Sequence, residues 1–141
     1  MPESSQGKDS TASRKSPTIL LVEDDPNSVR LARMLLEKDG YTVQAASNGA
    51  EALEALNKFV ADVLLLDVGL PDMSGYEVCR IIKDDERLKK IPVVFLTAHG
   101  SPRDYQTGGE LGAVFYIAKP YNPKHLLQVI HSLAPPAQTK S

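Results

Sequence analysis

The chain has 141 residues, of which 42% are apolar and 24% charged, and its formal net charge is −2. This length suits one domain that folds without a disulfide or a structural metal, and the charge gives no general attraction to nucleic acid. No apolar run could span a membrane and the single Cys79 cannot pair internally, which favours a reducing, cytoplasmic setting with no membrane partner.

The two ends of the chain differ in composition from the middle. Residues 1–16 are rich in Ser, Thr, Lys and Gly, so we expect a disordered N-terminal tail. Residues 134–141 contain two prolines and few apolar residues, which is typical of a C-terminal tail or of the start of a truncated linker. The folded domain is therefore predicted to span residues 17–133.

Five short apolar runs predict five strands. A run of four to six apolar residues bounded by polar residues is typical of a strand that is buried on both faces. The predicted strands are 18–22, 41–46, 62–66, 92–96 and 114–118.

Helical patterns separate these strands. The first helix is expected to begin at Pro26, with Asp25 as its N-cap, and to end at Gly40. The apolar periodicity predicts three more helices: 49–59 with Leu53, Leu56 and Val60 inward, 75–86 with Val78, Ile81 and Ile82 inward, and 123–133 with Leu126, Val129, Ile130 and Leu133 inward. The segment 102–111 predicts only a short or frayed fourth helix, because it contains Gly108-Gly109.

The alternation of strands and helices predicts an α/β fold in which helices cover both faces of a parallel sheet. In such three-layer sandwiches a ligand binds beyond the carboxyl ends of the strands, where the strand order reverses. With the strand order 2-1-3-4-5, strands one and three flank that point. The sequence therefore directs attention to the residues that follow these two strands.

Acidic residues follow both of these strands. Glu23 and Asp24 end the first apolar run and Asp67 ends the third, so three carboxylates are expected to lie close together. Two carboxylates about 4 Å apart repel by roughly 4 kcal/mol at an effective dielectric constant of 20. A cation would relieve that repulsion, and Mg²⁺ prefers an all-oxygen ligand set of this kind. Alone, Glu23-Asp24-Asp25 could equally be a helix-capping cluster.

Two further residues complete the pattern. Thr97 ends the fourth apolar run and Lys119 ends the fifth, so a hydroxyl and an ammonium are expected at the same edge. A carboxylate beside Mg²⁺ can accept a phosphoryl group. Lys119 could then neutralise one phosphoryl oxygen and Thr97 could donate a hydrogen bond to another.

The motifs that carry these residues resemble the receiver domain of two-component response regulators. They are Ile19 to Pro26, Leu64 to Asp67, Leu70-Pro71 to Ser74-Gly75, Leu96-Thr97-Ala98 and Ala118-Lys119-Pro120. The resemblance covers about residues 17–133. It implies a flavodoxin-like (βα)5 fold, and it implies phosphoryl transfer to Asp67 from a histidine kinase or a phosphotransfer protein.

The resemblance also implies roles for individual residues. Asp24 would bind Mg²⁺ directly, Glu23 through water and Gly69 through its backbone carbonyl, while Thr97 and Lys119 would contact the phosphoryl group. Tyr116 matches the aromatic residue that switches together with Thr97. The Lys119-Pro120 bond matches one that the family usually holds cis.

Some positions depart from the family pattern. Gly69 and His99 occupy places that modulate the lifetime of the phosphoryl group, so that lifetime stays open. The usual output face of the family comprises the fourth helix, the fifth strand and the fifth helix. Two acidic residues often follow the Gly-Ala pair before the fifth strand, but here Gly112-Ala113 is followed by Val114-Phe115. The downstream protein or output domain, and the choice between a monomer and a phosphorylation-dependent homodimer, also stay open.

Two other functions compete with this interpretation. The chain could be a degenerate receiver that binds a protein without being phosphorylated. It could also be a phosphatase with an aspartate nucleophile, but such enzymes use a second aspartate two residues beyond the nucleophile, where this chain has Gly69. The sequence therefore predicts a phosphoryl acceptor that has no separate substrate.

Overall fold

The computed structural model describes residues 16–98 and 115–136. Most of the predicted N-terminal tail, the end of the predicted C-terminal tail and the predicted helix 102–111 lie outside these residues. His99 and the Gly112-Ala113-Val114 segment also lie outside them. The predictions made for those positions therefore remain predictions.

The five strands lie within one residue of their predicted positions. They are β1 (Thr18–Val22), β2 (Thr42–Ala46), β3 (Val63–Asp67), β4 (Val93–Thr97) and β5 (Phe115–Ala118). All adjacent strands pair in parallel, in the order β2-β1-β3-β4-β5. The predicted strand order 2-1-3-4-5 is thereby confirmed.

Four helices are described, of which three connect successive strands and the fourth follows β5. They are α1 (Pro26–Lys38), α2 (Gly49–Leu56), α3 (Gly75–Lys83) and α4 (Pro123–Leu133), which is the fifth helix of the sequence prediction. Each begins after a side-chain N-cap of the preferred type. For α1 the cap is Asp25, as predicted, whose carboxylate accepts the Ser28 N–H. Gly40 follows α1 with a φ of 98°, a left-handed conformation that favours glycine.

The helices form layers on the two sides of the sheet. On one side, α1 and α4 pack against the side chains of Ile19, Leu21, Leu65 and other residues that point toward them. On the other side, α2 and α3 pack against a second set that includes Leu20, Leu64 and Phe95. The central strands β3 and β4 are buried along their whole length, which explains their uninterrupted apolar sequences.

Two of the helix predictions were wrong in detail. Helix α2 ends at Leu56, because Asn57 to Phe59 form a turn, and Val60 is 80% exposed in the loop that follows. Helix α3 ends at Lys83 instead of at residue 86. Its buried residues are Gly75, Val78, Cys79 and Ile82, while Ile81 is 42% exposed. None of the helices in residues 16–98 and 115–136 is long and apolar enough to cross a membrane.

Candidate functional site

The pairing of the strands determines which side chains meet at the carboxyl edge of the sheet. Leu66 of β3 is paired with Val22 of β1, so Asp67 and Glu23 follow side by side. Thr97 of β4 is paired with Ala118 of β5, and Lys119 comes directly after Ala118. A cleft of about 340 Å³ lies at this edge, lined by Glu23, Asp24, Asp25, Asp67, Val68, Gly69, Thr97, Ala98 and Lys119.

Three carboxylates meet in this cleft, as the sequence predicts. Glu23, Asp24 and Asp67 each present an oxygen, and the three oxygens lie within 4.8 Å of one another. Glu23 is 1% exposed and Asp67 is 5% exposed, whereas Asp24 is exposed. The backbone fixes Glu23, because its N–H donates to the Ala46 carbonyl at 3.0 Å and its carboxylate accepts the Asp25 N–H at 3.1 Å.

Lys119 connects two of the three carboxylates. Its Nζ donates to Glu23 Oε1 at 2.8 Å and to Asp67 Oδ2 at 3.1 Å. Burial alone would lower the pKa of Lys119, but the hydrogen bonds to these two carboxylates and their charges outweigh it, and the pKa is raised. The ammonium form is therefore favoured at neutral pH.

The environment of Glu23 disfavours its charged form, in contrast to that of Lys119. Burial raises the pKa of the Glu23 carboxyl, whereas the hydrogen bonds from Lys119 and from the Asp25 N–H lower it. The negative charge of Asp67 raises the pKa further, and the net result is a pKa above the ordinary value. The pair thus favours a charged lysine but disfavours a charged glutamate. Because the Glu23 side chain is fully buried, we attribute this to the cost of removing a carboxylate from water, which one ammonium does not offset.

The chemistry of these donors fits Mg²⁺. Carboxylate and carbonyl oxygens line the cleft, and neither a thiol nor an imidazole is among its described lining residues. A divalent cation would offset the charge that Lys119 leaves uncompensated, and Mg²⁺ takes oxygen ligands while retaining several waters. Asp24, the exposed member of the cluster, is the carboxylate that such a cation could reach most directly.

A tight backbone connection holds Asp67 in place. The Gly69 N–H donates to Asp67 Oδ1 at 3.1 Å, and Gly69 pairs with Ser74 in an isolated antiparallel bridge. The Gly75 N–H donates to the Val68 carbonyl at 2.8 Å. The start of α3 therefore lies directly against the end of β3. A Cβ atom on Gly75 would lie 2.3 Å from the Asp67 carbonyl oxygen, so only glycine fits there without a shift of the backbone.

Thr97 and Tyr116 lie on the adjacent strands β4 and β5, where Thr97 is paired with Ala118, two residues beyond Tyr116. Thr97 is 5% exposed and lines the cleft. Tyr116 is paired with Phe95, their ring centroids are 5.4 Å apart, and the Tyr116 hydroxyl donates to the Tyr76 hydroxyl at 3.3 Å. Tyr116 therefore lies against an aromatic group that reaches α3. The Lys119-Pro120 bond is cis, as the resemblance implied.

The sequence pattern did not predict the roles of two further residues, Tyr121 and Asp72. The Tyr121 hydroxyl is buried and has no hydrogen-bond partner among the described residues. Burial raises the pKa of Tyr121, and the carboxylates of Glu23, Asp67 and Asp25 add to the effect. The second residue is Asp72, whose carboxylate binds the start of α2. No local pattern indicates the burial of Tyr121 or the bonds of Asp72, because both depend on residues that are distant in the sequence.

Comparisons with known proteins agree with this geometry. The family model described as response regulator receiver domain matches residues 19–131. A probable cyclic di-GMP phosphodiesterase of Vibrio cholerae is 42% identical over 115 residues, which cover 82% of this chain and 26% of that protein. The solved structure of the Vibrio cholerae chemotaxis protein CheY4 has a TM-score of 0.80 and 31% identity, covering 84% of this chain and 98% of that one.

Another similar solved structure contains a magnesium ion. The receiver domain of the sensor histidine kinase PA1611 from Pseudomonas aeruginosa PAO1 has a magnesium ion coordinated in its active site cleft. It is 29% identical, with a TM-score of 0.77, over 84% of this chain and 97% of that one. The chain spans half or less of the length of several curated relatives that it matches.

Proposed function

The chain belongs to the receiver domains of two-component response regulators, and we propose that it accepts a phosphoryl group on Asp67 in a Mg²⁺-dependent reaction. The observation that carries this proposal is the convergence of Glu23, Asp24 and Asp67 with the ammonium of Lys119 at one edge of the sheet. Asp67 ends β3, which lies between the strands that precede Glu23 and contain Thr97, and Lys119 contacts it directly.

The donor would be a phosphohistidine on a histidine kinase or a phosphotransfer protein. An Asp67 carboxylate oxygen forms a bond to phosphorus, the nitrogen–phosphorus bond breaks, and the imidazole leaves with that electron pair. Glu23, Asp24, Asp67 and the Gly69 carbonyl are the groups that would hold Mg²⁺, which would supply positive charge to the carboxylates and the phosphoryl oxygens.

The chain's own residues perform the rest of this reaction. Asp67 is held by the Gly69 N–H and by Lys119, so its carboxylate is oriented before the donor arrives. Lys119 can follow the negative charge from the carboxylate to a phosphoryl oxygen, because a lysine ammonium is a compact charge on a flexible side chain. The Thr97 hydroxyl, which lines the same cleft, can donate a hydrogen bond to a second phosphoryl oxygen.

The signal would then pass from Thr97 to Tyr116. These residues lie on adjacent strands, and Tyr116 lies against Phe95 and Tyr76. A shift of Thr97 toward the phosphoryl group would change the packing available to Tyr116, and hence the surface that a downstream protein or output domain recognises. Moving such an equilibrium from 1:99 to 99:1 needs about 5.5 kcal/mol of differential stabilisation.

Phosphorylation by a small-molecule donor tests the assignment. Incubation with acetyl phosphate and Mg²⁺ should add one phosphoryl group to the intact protein, measured by mass spectrometry, and hydroxylamine should remove it. Asp67→Asn should abolish the addition. Asp84→Asn is the matched control, because Asp84 is exposed at the end of α3, and this variant should be labelled like the wild type. Chelation of Mg²⁺ should also prevent labelling.

Two outcomes would contradict the proposal. Labelling that persists in Asp67→Asn would assign the acceptor to another residue. A wild-type protein that neither binds Mg²⁺ at millimolar concentration nor takes up phosphate would instead favour the receiver that binds proteins without phosphorylation.

A further inference from the structure

The segment from Val68 to Ser74 connects Asp67 to α3 and supplies part of the cleft lining. We propose that Asp72 is a positioning residue for the metal site: by binding the start of α2, its carboxylate fixes this segment and so holds the Gly69 backbone at the cleft. We call residues 68–74 the anchored loop. This inference rests on the proposed function, because it concerns the same cation site.

Asp72 fastens the tip of the anchored loop to a different helix. Its Oδ1 accepts the Gly49 N–H at 2.8 Å and its Oδ2 accepts the Ala50 N–H at 3.0 Å. These are the first two residues of α2, where helical N–H groups lack partners within the helix and where negative charge is favoured. The same two N–H groups lower the pKa of the Asp72 carboxyl, so the group is ionised at neutral pH.

The packing beside Asp72 strengthens this attachment. Met73 is half-buried against the core on the α2 and α3 side of the sheet. A Cβ atom on Gly49 would lie 2.6 Å from Met73 Cγ, which shows how closely the tip of the loop approaches the start of α2. The tip is thus held by two hydrogen bonds and by one apolar side chain.

The base of the anchored loop is where the attachment acts on the site. Gly69 pairs with Ser74, and the Gly75 N–H donates to the Val68 carbonyl. Asp72 lies between these two ends, so a tip held on α2 limits the conformations open to the base. Gly69 also donates its N–H to Asp67 Oδ1, which links the loop to the acceptor carboxylate itself. Release of Asp72 should therefore loosen both a carbonyl ligand and a contact of Asp67.

Mg²⁺ titrations of three variants, followed by amide chemical shifts, test this role. Asp72→Ala removes both hydrogen bonds, and affinity should fall by about 10-fold, as it does when residues that orient metal ligands are removed. Asn48→Ala is the matched control. Asn48 caps the same helix through the Glu51 N–H, and among the described residues no hydrogen bond joins its side chain to the anchored loop, so affinity should stay at the wild-type value. Asp72→Asn keeps one oxygen acceptor without the charge, and its affinity should fall between the two.

Hydrogen exchange in the metal-free protein gives a second measurement. The amides of Gly69 and Gly75 should exchange faster in Asp72→Ala than in the wild type, and at the wild-type rate in Asn48→Ala. This readout does not depend on the cation, so it reports the conformation of the loop directly.

Three results would overturn the inference. The first is an equal loss of affinity in Asp72→Ala and Asn48→Ala, which would mean that only the stability of α2 matters. The second is an equal loss in Asp72→Asn and Asp72→Ala that disappears at high salt, which would indicate a through-space charge effect. The third is unchanged Gly69 exchange in Asp72→Ala. If the wild type itself does not bind Mg²⁺, the proposed function fails, and the exchange rates alone decide whether Asp72 holds the loop.

Discussion

Substitution of Gly75 by alanine tests whether the close approach of α3 to β3 determines the position of Asp67. Gly75 is the first residue of α3. A Cβ atom there would lie 2.3 Å from the Asp67 carbonyl oxygen and 2.9 Å from Val68 Cα. Both neighbours are backbone atoms, so a rotation of a side chain cannot relieve the overlap. Either the first turn of α3 or the end of β3 must move.

The expected cost follows from the size of this overlap. Ordinary contacts of a Cβ atom begin at 3.4 Å, so the backbone must yield by about 1 Å at the Asp67 oxygen. Overpacking of this kind costs about 1–3 kcal/mol. Alanine is favoured over glycine inside a helix by up to about 1 kcal/mol, which offsets part of the cost. We therefore expect Gly75→Ala to lower the free energy of unfolding by about 1–2 kcal/mol.

Gly69→Ala provides a matched control for stability in the same loop. A Cβ atom on Gly69 would meet nothing within 4 Å, and Gly69 does not have a positive φ. Such a substitution stabilises a protein by about 0.4–1 kcal/mol, because it restricts the unfolded chain. Urea unfolding of the metal-free proteins should therefore show two Gly→Ala substitutions with opposite effects. If Gly75→Ala is as stable as Gly69→Ala, the backbone contact does not constrain Asp67.

Two further substitutions address the buried polar groups around the cleft. Tyr121→Phe should raise the free energy of unfolding by about 1 kcal/mol, because burying a hydroxyl without a hydrogen-bond partner is unfavourable and phenylalanine has no hydroxyl. A variant less stable than the wild type would show that the hydroxyl is paired. The pKa of Glu23 is higher in the folded protein than its ordinary value of 4.5. Its favourable contribution to the free energy of unfolding is therefore fully present below pH 4.5 and is lost as the pH rises through the pKa of the folded state. Glu23→Gln cannot ionise, so its stability relative to the wild type should increase from pH 4.5 toward neutral pH when measured in the presence of a chelator. A difference that is constant over this range would contradict the assignment.

The sequence was sufficient to predict the sheet and the residues at its carboxyl edge. The buried strands have continuous apolar sequences, so their positions could be read to within one residue. Because the strands are parallel, a residue that ends one strand must lie near those that end its neighbours. The proximity of Glu23 and Asp67 follows from that rule alone, and so does the position of Lys119 beside Thr97.

The contacts that orient these residues could not be predicted in the same way. Asp72 bonds to Gly49 across 23 positions, and the contact depends on how the anchored loop packs on α2. Val60 continues the apolar periodicity of α2 but lies beyond the turn that ends the helix. Ile81 satisfies the same periodicity on α3, yet Cys79 occupies the buried face instead. In each case the packing of neighbouring elements overrides a local pattern.

The burial of Cys79 has a practical consequence. The side chain is fully inaccessible on α3, and burial raises the pKa of its thiol, so little thiolate is available at neutral pH. Maleimide reagents should therefore leave the native protein unmodified. A cysteine placed at an exposed position such as Pro71 could then carry a fluorophore or spin label without removal of the native one. The chain thus already suits site-directed labelling of the loop beside its acidic cleft.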